Sequence, residues 1–345
     1  MTSADIVGVV DISEDAILNW VPGLLNTLLR DHSAKRAAKS GSNNPDDYHI
    51  IWATDNYVSL GERYSVRSQI AIDNIVKKNG RVIRPRAVKS KAEQQVRTRE
   101  KAEVFTPSWI CNAQNNLIDN EWFGRAGVFN VENDDKTWTV NQEKVTFPEG
   151  KTWIDYVNAR RLEITCGEAP YLTSRYDTVT GEYIPVENRI GLLDRKLRVV
   201  SENTSTPDEW VPYAHLALAS VYGYEWQGDS LLLAREAALC TFMDYFWQKF
   251  PNDNLFDKTI LKSAYIISWN IWQMDGLTGK IPYTEKKTTD TDLFGGESVR
   301  IDKGTDCMVY SWKLEPNKKG ELNLRKKKME KFFPVQQSIK HKNNI

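Results

Sequence analysis

Apolar and polar positions follow two rhythms along this chain, and those rhythms predict most of its elements. Over residues 11–31, Ala16, Ile17, Trp20, Val21, Leu24, Leu25, Leu28 and Leu29 recur at helical steps. The spacing predicts an amphipathic helix with a kink at Pro22-Gly23. The stretch SAKRAAKSGSNNPDD at 33–47 is a polar linker by composition, and the apolar run YHIIWAT at 48–54 predicts a short strand. A helical pattern at 107–119 precedes a polar, Trp-bearing region at 122–153. Strands and helices then alternate: strand–turn at 161–168, a helix, strand at 219–225, helices at 228–250 and 257–268, strand at 269–275. Alternation of this kind predicts an α/β fold with a doubly wound parallel sheet, in which ligands bind at the carboxyl ends of the strands.

Composition narrows the function classes. With 345 residues, 41% of them hydrophobic, the chain is long enough for one large or two ordinary domains with a sizeable core. Its 46 basic residues balance its 46 acidic ones, which excludes a globally basic nucleic-acid coat protein but leaves local patches open. One such patch is 81–101, with eight basic and two acidic residues. It reads either as a solvated helix face or as a phosphate-contacting segment, with Arg84, Arg86, Arg97 and Arg99 the candidate contacts. A second, RKKKMEK at 325–331, falls in an expected polar C-terminal tail. No apolar run approaches 18 residues, and the N-terminus has an early acidic character without a basic n-region. No membrane span or secretory signal is therefore expected, and a cytoplasmic setting is. Cys111, Cys166, Cys240 and Cys307 are widely spaced, as are His32, His49, His215 and His341. Neither set has zinc-ligand spacing, so neither a metal nor a disulfide framework is expected. The 12 tryptophans predict core and interface packing.

Four segments carry the candidate chemistry. Phe105-Thr106-Pro107 opens a helix, with Thr106 as N-cap and Pro107 in the first turn. In RLEITCGEAPYL (161–172) an apolar strand ends at a turn containing Gly167, where a ligand can approach the backbone. In VYGYEWQGDSLLLARE (221–236) a strand ends in Glu225, whose carboxylate is suited to two hydroxyl donors. In SWNIWQMDGL (268–277) a strand ends in Asp275 followed by glycine.

In this order, the FTP helix start, the strand-CG turn, YGYEWQGDSLLLAR and NIWQMDGL resemble the cofactor-binding half of DNA N6-adenine methyltransferases. The resemblance is closer to the bacterial and phage proteins labelled restriction endonuclease subunit M, and it covers about residues 48–310. It implies a Rossmann-like, S-adenosylmethionine-dependent methyltransferase fold, truncated, with an N-terminal helical and basic extension. The corresponding division is a helix and linker at 1–47, a basic region at 48–103, a methyltransferase-like domain at 104–312 and a basic tail at 313–345. Carried over by motif, Phe105, Thr106 and Pro107 lie along the methionine part of S-adenosylmethionine. Thr165, Cys166 and Gly167 form the turn under its carboxylate and amino group. Glu225 holds the ribose hydroxyls, Trp226 stands beside the adenine, and Asp275 accepts from the adenine amine.

The chain departs from the family at the reacting end. Adenine N6 is a poor nucleophile, and family enzymes accept its protons with an Asn- or Asp-Pro-Pro-aromatic turn that also stacks the flipped base. Here no two of the 13 prolines are adjacent. The best positional substitute is Tyr310-Ser311-Trp312, aromatic but with no Asn or Asp as acceptor. Glu168-Ala169-Pro170-Tyr171 overlaps the cofactor turn, and Glu168 opposes a bound carboxylate unless it points away. The 70 residues after Asp275 are few for the rest of a catalytic domain and a recognition domain. The resemblance thus implies a DNA-modification protein of a restriction-modification or phage system with a degenerate catalytic motif, DNA as partner and another subunit supplying specificity or catalytic groups. The alternative is an inactive scaffold of the same fold that binds nucleic acid or protein.

Overall fold

The computed structural model describes residues 9–32, 48–101, 105–291, 297–302 and 304–331; the polar linker at 33–47 lies outside them. The N-terminal pattern forms two helices rather than one kinked helix. The first, α1 (Glu14–Trp20), starts where the Ser13 hydroxyl accepts the Ala16 amide, and the second is α2 (Leu24–Leu29). Between them Gly23 adopts φ +83°, a left-handed conformation that suits glycine and ends the helical path. Leu24, Leu25, Leu28 and Leu29 are buried, and α2 packs on a helix more than two hundred residues later in the chain.

Next come α3 (Lys91–Lys101), α4 (Ser108–Phe123), the antiparallel pair β1 (Asn130–Glu132) and β2 (Trp138–Val140), and α5 (Trp153–Asn158). The central part then runs β3 (Arg161–Ile164), α6 (Leu192–Asn203), α7 (Pro207–Ala219), β4 (Val221–Glu225), α8 (Gly228–Lys249), α9 (Asp257–Asn270) and β5 (Ile271–Gln273). Strands β3, β4 and β5 form a three-stranded parallel sheet in that order, Leu162 opposite Tyr222 and Tyr224 opposite Trp272. The fold is therefore mixed α/β with a parallel sheet and helical crossovers.

Side-chain alternation sends the two sheet faces into different clusters. Val221 and Ile271 join the large core with α8. Ile164, Tyr224 and Trp272 pack in a second cluster with Trp269, Cys307, Val309 and Tyr310. Trp52 and Trp210 are fully buried, consistent with tryptophan as core material.

Two expectations change. Residues 48–54 form isolated bridges, Arg30 to His49 and Ile51 to Gln69, instead of a strand. Ile51 is held by a side chain: its amide donates to the Gln273 Oε1 at 2.9 Å and its carbonyl accepts from Gln273 Nε2 at 2.7 Å. One glutamine amide replaces a strand neighbour at this point, which the local pattern of apolar residues does not encode. The expected polar tail is instead an antiparallel hairpin, β8 (Met308–Pro316) with β9 (Leu322–Lys331), and β8 crosses the boundary placed at 312/313. Trp312, Leu314 and Leu324 alternate inward against the core, a period-2 stripe hidden among basic residues. Before it lies a second antiparallel strand pair, β6 (Lys286–Thr291) with β7 (Glu297–Asp302).

Candidate functional site

The carboxyl ends of β3, β4 and β5 converge. Past β3, the turn contains three residues with left-handed backbone, Thr165 (φ 53°), Gly167 (φ 55°) and Ala169 (φ 61°). Two of these carry a Cβ, so the turn holds backbone strain of about 1–2 kcal/mol per residue, a feature concentrated at binding sites. Glu225 ends β4. Its Oε2 accepts the Gly167 amide at 2.8 Å and its Oε1 the Gln227 amide at 3.0 Å, and its own carbonyl accepts the Met274 amide at 2.9 Å. These bonds tie the three strand ends together. Burial pushes the Glu225 carboxyl up, and the amides of Gln227 and Gly167 oppose that shift.

Each Glu225 oxygen retains a lone pair after these bonds. Nearby acceptors also lack donors: Asp229 Oδ1, in the first turn of α8, and Gln227 Oε1 are buried with no hydrogen bond among the described residues. The other Asp229 oxygen accepts from Tyr57 Oη at 2.7 Å and Arg97 Nη2 at 2.8 Å. Burial raises the Asp229 pKa, but the charges of Arg97 and Lys89 and the hydrogen bonds from Arg97 and Tyr57 together outweigh it, and the group stays below its ordinary range. The strand ends are thus rich in acceptors, which suits a ligand that presents hydroxyl or amine donors.

Of the residues expected from sequence, Phe105, Gly167 and Glu225 come together. A Cβ on Gly167 would stand 3.6 Å from the Phe105 ring. Cys166 is buried, its thiol pushed up by burial, and its amide donates to the Tyr224 carbonyl. Gly276 brings the β5 end against β3, since a Cβ there would lie 2.7 Å from Ile164 Cγ2. Asp275 folds its carboxylate into its own turn, accepting from the Leu277 and Thr278 amides and the Thr278 hydroxyl. Trp226 meets the Tyr283 ring edge-on at 5.4 Å, and the Arg67 guanidinium lies 4.9 Å from the same ring.

The helix start differs from expectation. Pro107 is the residue before α4 and Thr106 makes no cap; the Ser108 amide instead donates to Asp177 Oδ2 at 2.7 Å. The Thr106 carbonyl accepts from Thr178 Oγ1. Glu168 is buried and already engaged, accepting the Arg86 amide at 2.7 Å and the Tyr176 hydroxyl at 2.7 Å.

The basic segment divides. Arg97 is buried in its ion pair with Asp229 and is no surface contact. Arg86 places its guanidinium 5.0 Å from the centre of the Phe105 ring and so belongs to the site's wall. Arg84 pairs with Glu93 at 3.1 Å, and Arg99 is exposed on α3. Tyr310, Ser311 and Trp312 are not in the strand-end turn. They lie on β8 against the sheet face, where the Tyr310 carbonyl accepts from Tyr222 Oη and Trp312 Nε1 donates to Asn270 Oδ1. Sequence reasoning missed Tyr57, Asp229, Gln273 and Tyr283, which act through distant partners. Only the Asp229 position, next to a strand-ending acid and in a helix's first turn, was visible as a signal.

The chain matches no protein-family model, no curated protein and no solved structure. Among the described residues no His, Cys, Asp and Glu side chains gather in threes to hold a metal ion, and no helix is long and apolar enough to cross a membrane.

Proposed function

We propose that this chain binds S-adenosylmethionine at the ends of its parallel strands. On this reading it is a Rossmann-like relative of the DNA adenine-N6 methyltransferases of restriction-modification or phage DNA-modification systems, with a degenerate catalytic turn. The observation that carries the reading is Glu225, buried at the end of the central strand, bonded to the Gly167 amide of the neighbouring turn and retaining acceptor capacity. A ribose diol supplies the two donors that such a carboxylate lacks, and an adenine amine is a donor of the kind Asp229 Oδ1 and Gln227 Oε1 lack. Trp226 offers an aromatic wall, and Glu168 is engaged by the Arg86 amide and the Tyr176 hydroxyl. Thr165, Cys166 and Gly167 would lie under the amino-acid part, with Phe105, Thr106 and Pro107 alongside. The cofactor would supply an activated methyl group; this chain's residues would bind and orient it.

Methyl transfer by the chain alone is not part of the proposal. Tyr310, Ser311 and Trp312 are committed to packing and hydrogen bonds on β8, which favours a second reading, a scaffold that binds nucleic acid or protein while a partner subunit supplies the amine acceptor. Calorimetric titration with S-adenosylmethionine tests the first reading. The expected outcome is micromolar binding that weakens at least tenfold in Glu225→Ala and in Trp226→Ala, both with an unchanged circular dichroism spectrum. An absence of heat in the parent chain overturns it and leaves the scaffold reading.

A further inference from the structure

The hairpin β8–β9 carries charge that the fold itself leaves unused. Between Met308 and Lys331 there are eight basic and three acidic residues, although the whole chain has no net charge. Its inner face is occupied by Trp312, Leu314 and Leu324. On its outer face Lys313 stands directly opposite Arg325, a like-charge pair that weakens a ladder. Glu315 neutralises part of this, pairing with Lys313 at 3.1 Å and Lys327 at 2.6 Å. Arg325, like Lys318 and Lys319 at the tip, is exposed and makes no side-chain hydrogen bond or ion pair among the described residues. Unpaired cations on one hairpin, one on its second strand and two in its turn, are suited to a polyanion.

At the root of this hairpin is a 220 Å³ cleft between β8 and the sheet face, walled by Leu162, Tyr222, Tyr224, Tyr310, Ser311 and Arg160. Three phenol rings and a 43%-exposed leucine give it apolar sides. Arg160 at its rim is exposed and also has no partner for its guanidinium among the described residues. The cleft opens beside the start of β3, whereas the strand-end site lies past its other end.

We propose that the hairpin and this cleft form a binding surface for single-stranded nucleic acid. The backbone phosphates track the outer cations Arg325, Lys318 and Lys319, with Arg160 at the rim, and a base enters the cleft at the hairpin root against Leu162 and the tyrosine edges that line it. Aromatic surfaces take bases of any sequence and cations take phosphates, which is the general design of single-strand binding. A duplex keeps its bases stacked and does not use the cleft, and an anionic membrane uses the cations alone. The surface is independent of cofactor binding, so its test is made without S-adenosylmethionine.

The experiment is fluorescence anisotropy of the full chain with a labelled mixed-sequence DNA single strand, the same sequence as duplex, and phosphatidylserine vesicles as competitor, over a salt series. The expected result is salt-dependent binding tighter to the single strand than to the duplex. Arg160→Ala with Arg325→Ala should weaken it at least tenfold and flatten the salt slope by about 1.4, the value for two lost phosphate contacts. Leu162→Trp, which fills the cleft from an exposed position, should erase the single-strand preference while keeping the salt slope. Equal affinity for duplex, unchanged binding in the double variant, or displacement by vesicles with no single-strand preference overturns the proposal.

Discussion

Gly167 and Glu225 meet at 2.8 Å, backbone amide to carboxylate, across the ends of two adjacent parallel strands. This contact joins the strained turn after β3 to the acid that ends β4, and it determines where the acid points. Glu225 is held by donors from both sides, Gly167 and Gln227, so its remaining lone pairs face a fixed direction before any ligand arrives. Fixed acceptors cost a donor-bearing ligand less ordering entropy than mobile ones.

The N-terminal segment at 50–53 supports this site from behind. A Cβ on Gly228 would lie 2.1 Å from the Ile51 carbonyl oxygen, and the Gly228 amide donates to the Trp52 carbonyl at 2.8 Å. The obstacle is backbone, itself clamped by Gln273, so it does not move aside. Gly228→Ala is expected to destabilise the fold by about 3 kcal/mol or more, at or beyond the upper end of overpacking costs. Urea unfolding measures this. Loss of under 1 kcal/mol would mean that the segment shifts freely and does not brace α8.

Arg97 yields a sharp contrast between a buried and a surface cation. Its guanidinium, 8% exposed, serves Asp229 at 1% exposure, together with the Tyr57 hydroxyl. Removing one partner of a buried ion pair leaves the other charge uncompensated, at a cost of about 3–5 kcal/mol. Arg97→Ala should therefore lower the thermal midpoint strongly, and Arg97→Met with Asp229→Leu should recover much of the loss. If Arg97→Ala leaves stability intact yet reduces the salt dependence of nucleic-acid binding, the residue is a phosphate contact after all.

The sequence pattern was informative where periodicity is local. The long apolar face of 228–250, the helical run of 257–268 and the strand ending at Glu225 appear close to their expected bounds, whereas the strand expected over 269–275 is only Ile271–Gln273, because the helix before it runs on to Asn270 and Asp275 turns back on itself. It failed where a side chain does the work of a backbone, as Gln273 does for Ile51 and Asp177 for the Ser108 amide. It failed again in β8–β9, where an inward stripe of three apolar residues is masked by lysines on the outer face. The basic segment at 81–101 shows the same limit: net charge does not say that Arg97 turns inward while Arg99 stays out. Of the strand-end residues, those defined by position on a strand were legible, and those recruited from far along the chain were not.

Burial of acids gives a pH dependence with a definite sign. Glu163, on β3, is buried, and burial pushes its carboxyl up to about 8; the Tyr171 and Leu172 amides oppose the shift, while Glu225 raises it further. Glu14 is likewise raised to about 8, by burial. A folded-state pKa above the unfolded one means that the folded chain binds more protons between the two values. The stabilisation from the protonated acid is complete below the ordinary carboxyl range and is lost as pH rises toward about 8. Each group contributes a slope of at most about 1.4 kcal/mol per pH unit within that window. Glu163→Gln, neutral at every pH but able to accept only one of the two amides, which donate to different carboxylate oxygens, should lower stability overall yet flatten its fall between pH 5 and pH 8 in denaturant titrations. A parent protein whose stability does not fall with pH across that window would show that these acids are ionised in the fold.

Lys326 latches the basic hairpin to the body of the molecule. Its ammonium lies 4.5, 4.4 and 4.6 Å from the ring centres of Tyr265, Trp269 and Tyr310, and it also bonds the Tyr265 hydroxyl. Two of these rings come from α9 and one from β8, so a single cation joins a helix to both strands of the hairpin. Cation–π contacts contribute about 0.5–1 kcal/mol when exposed and about 2 kcal/mol when desolvated. Lys326→Met keeps the side chain's length and apolar contact but removes the charge, so the loss expected is about 1–2 kcal/mol. That loss should be local, because Trp312 remains bonded to Asn270 and Leu324 remains buried. Hydrogen exchange on Lys326→Met should show faster exchange in β8 and β9 with unchanged protection in β4 and α8. Uniform loss of protection across the molecule would instead make the three-ring contact part of the global core.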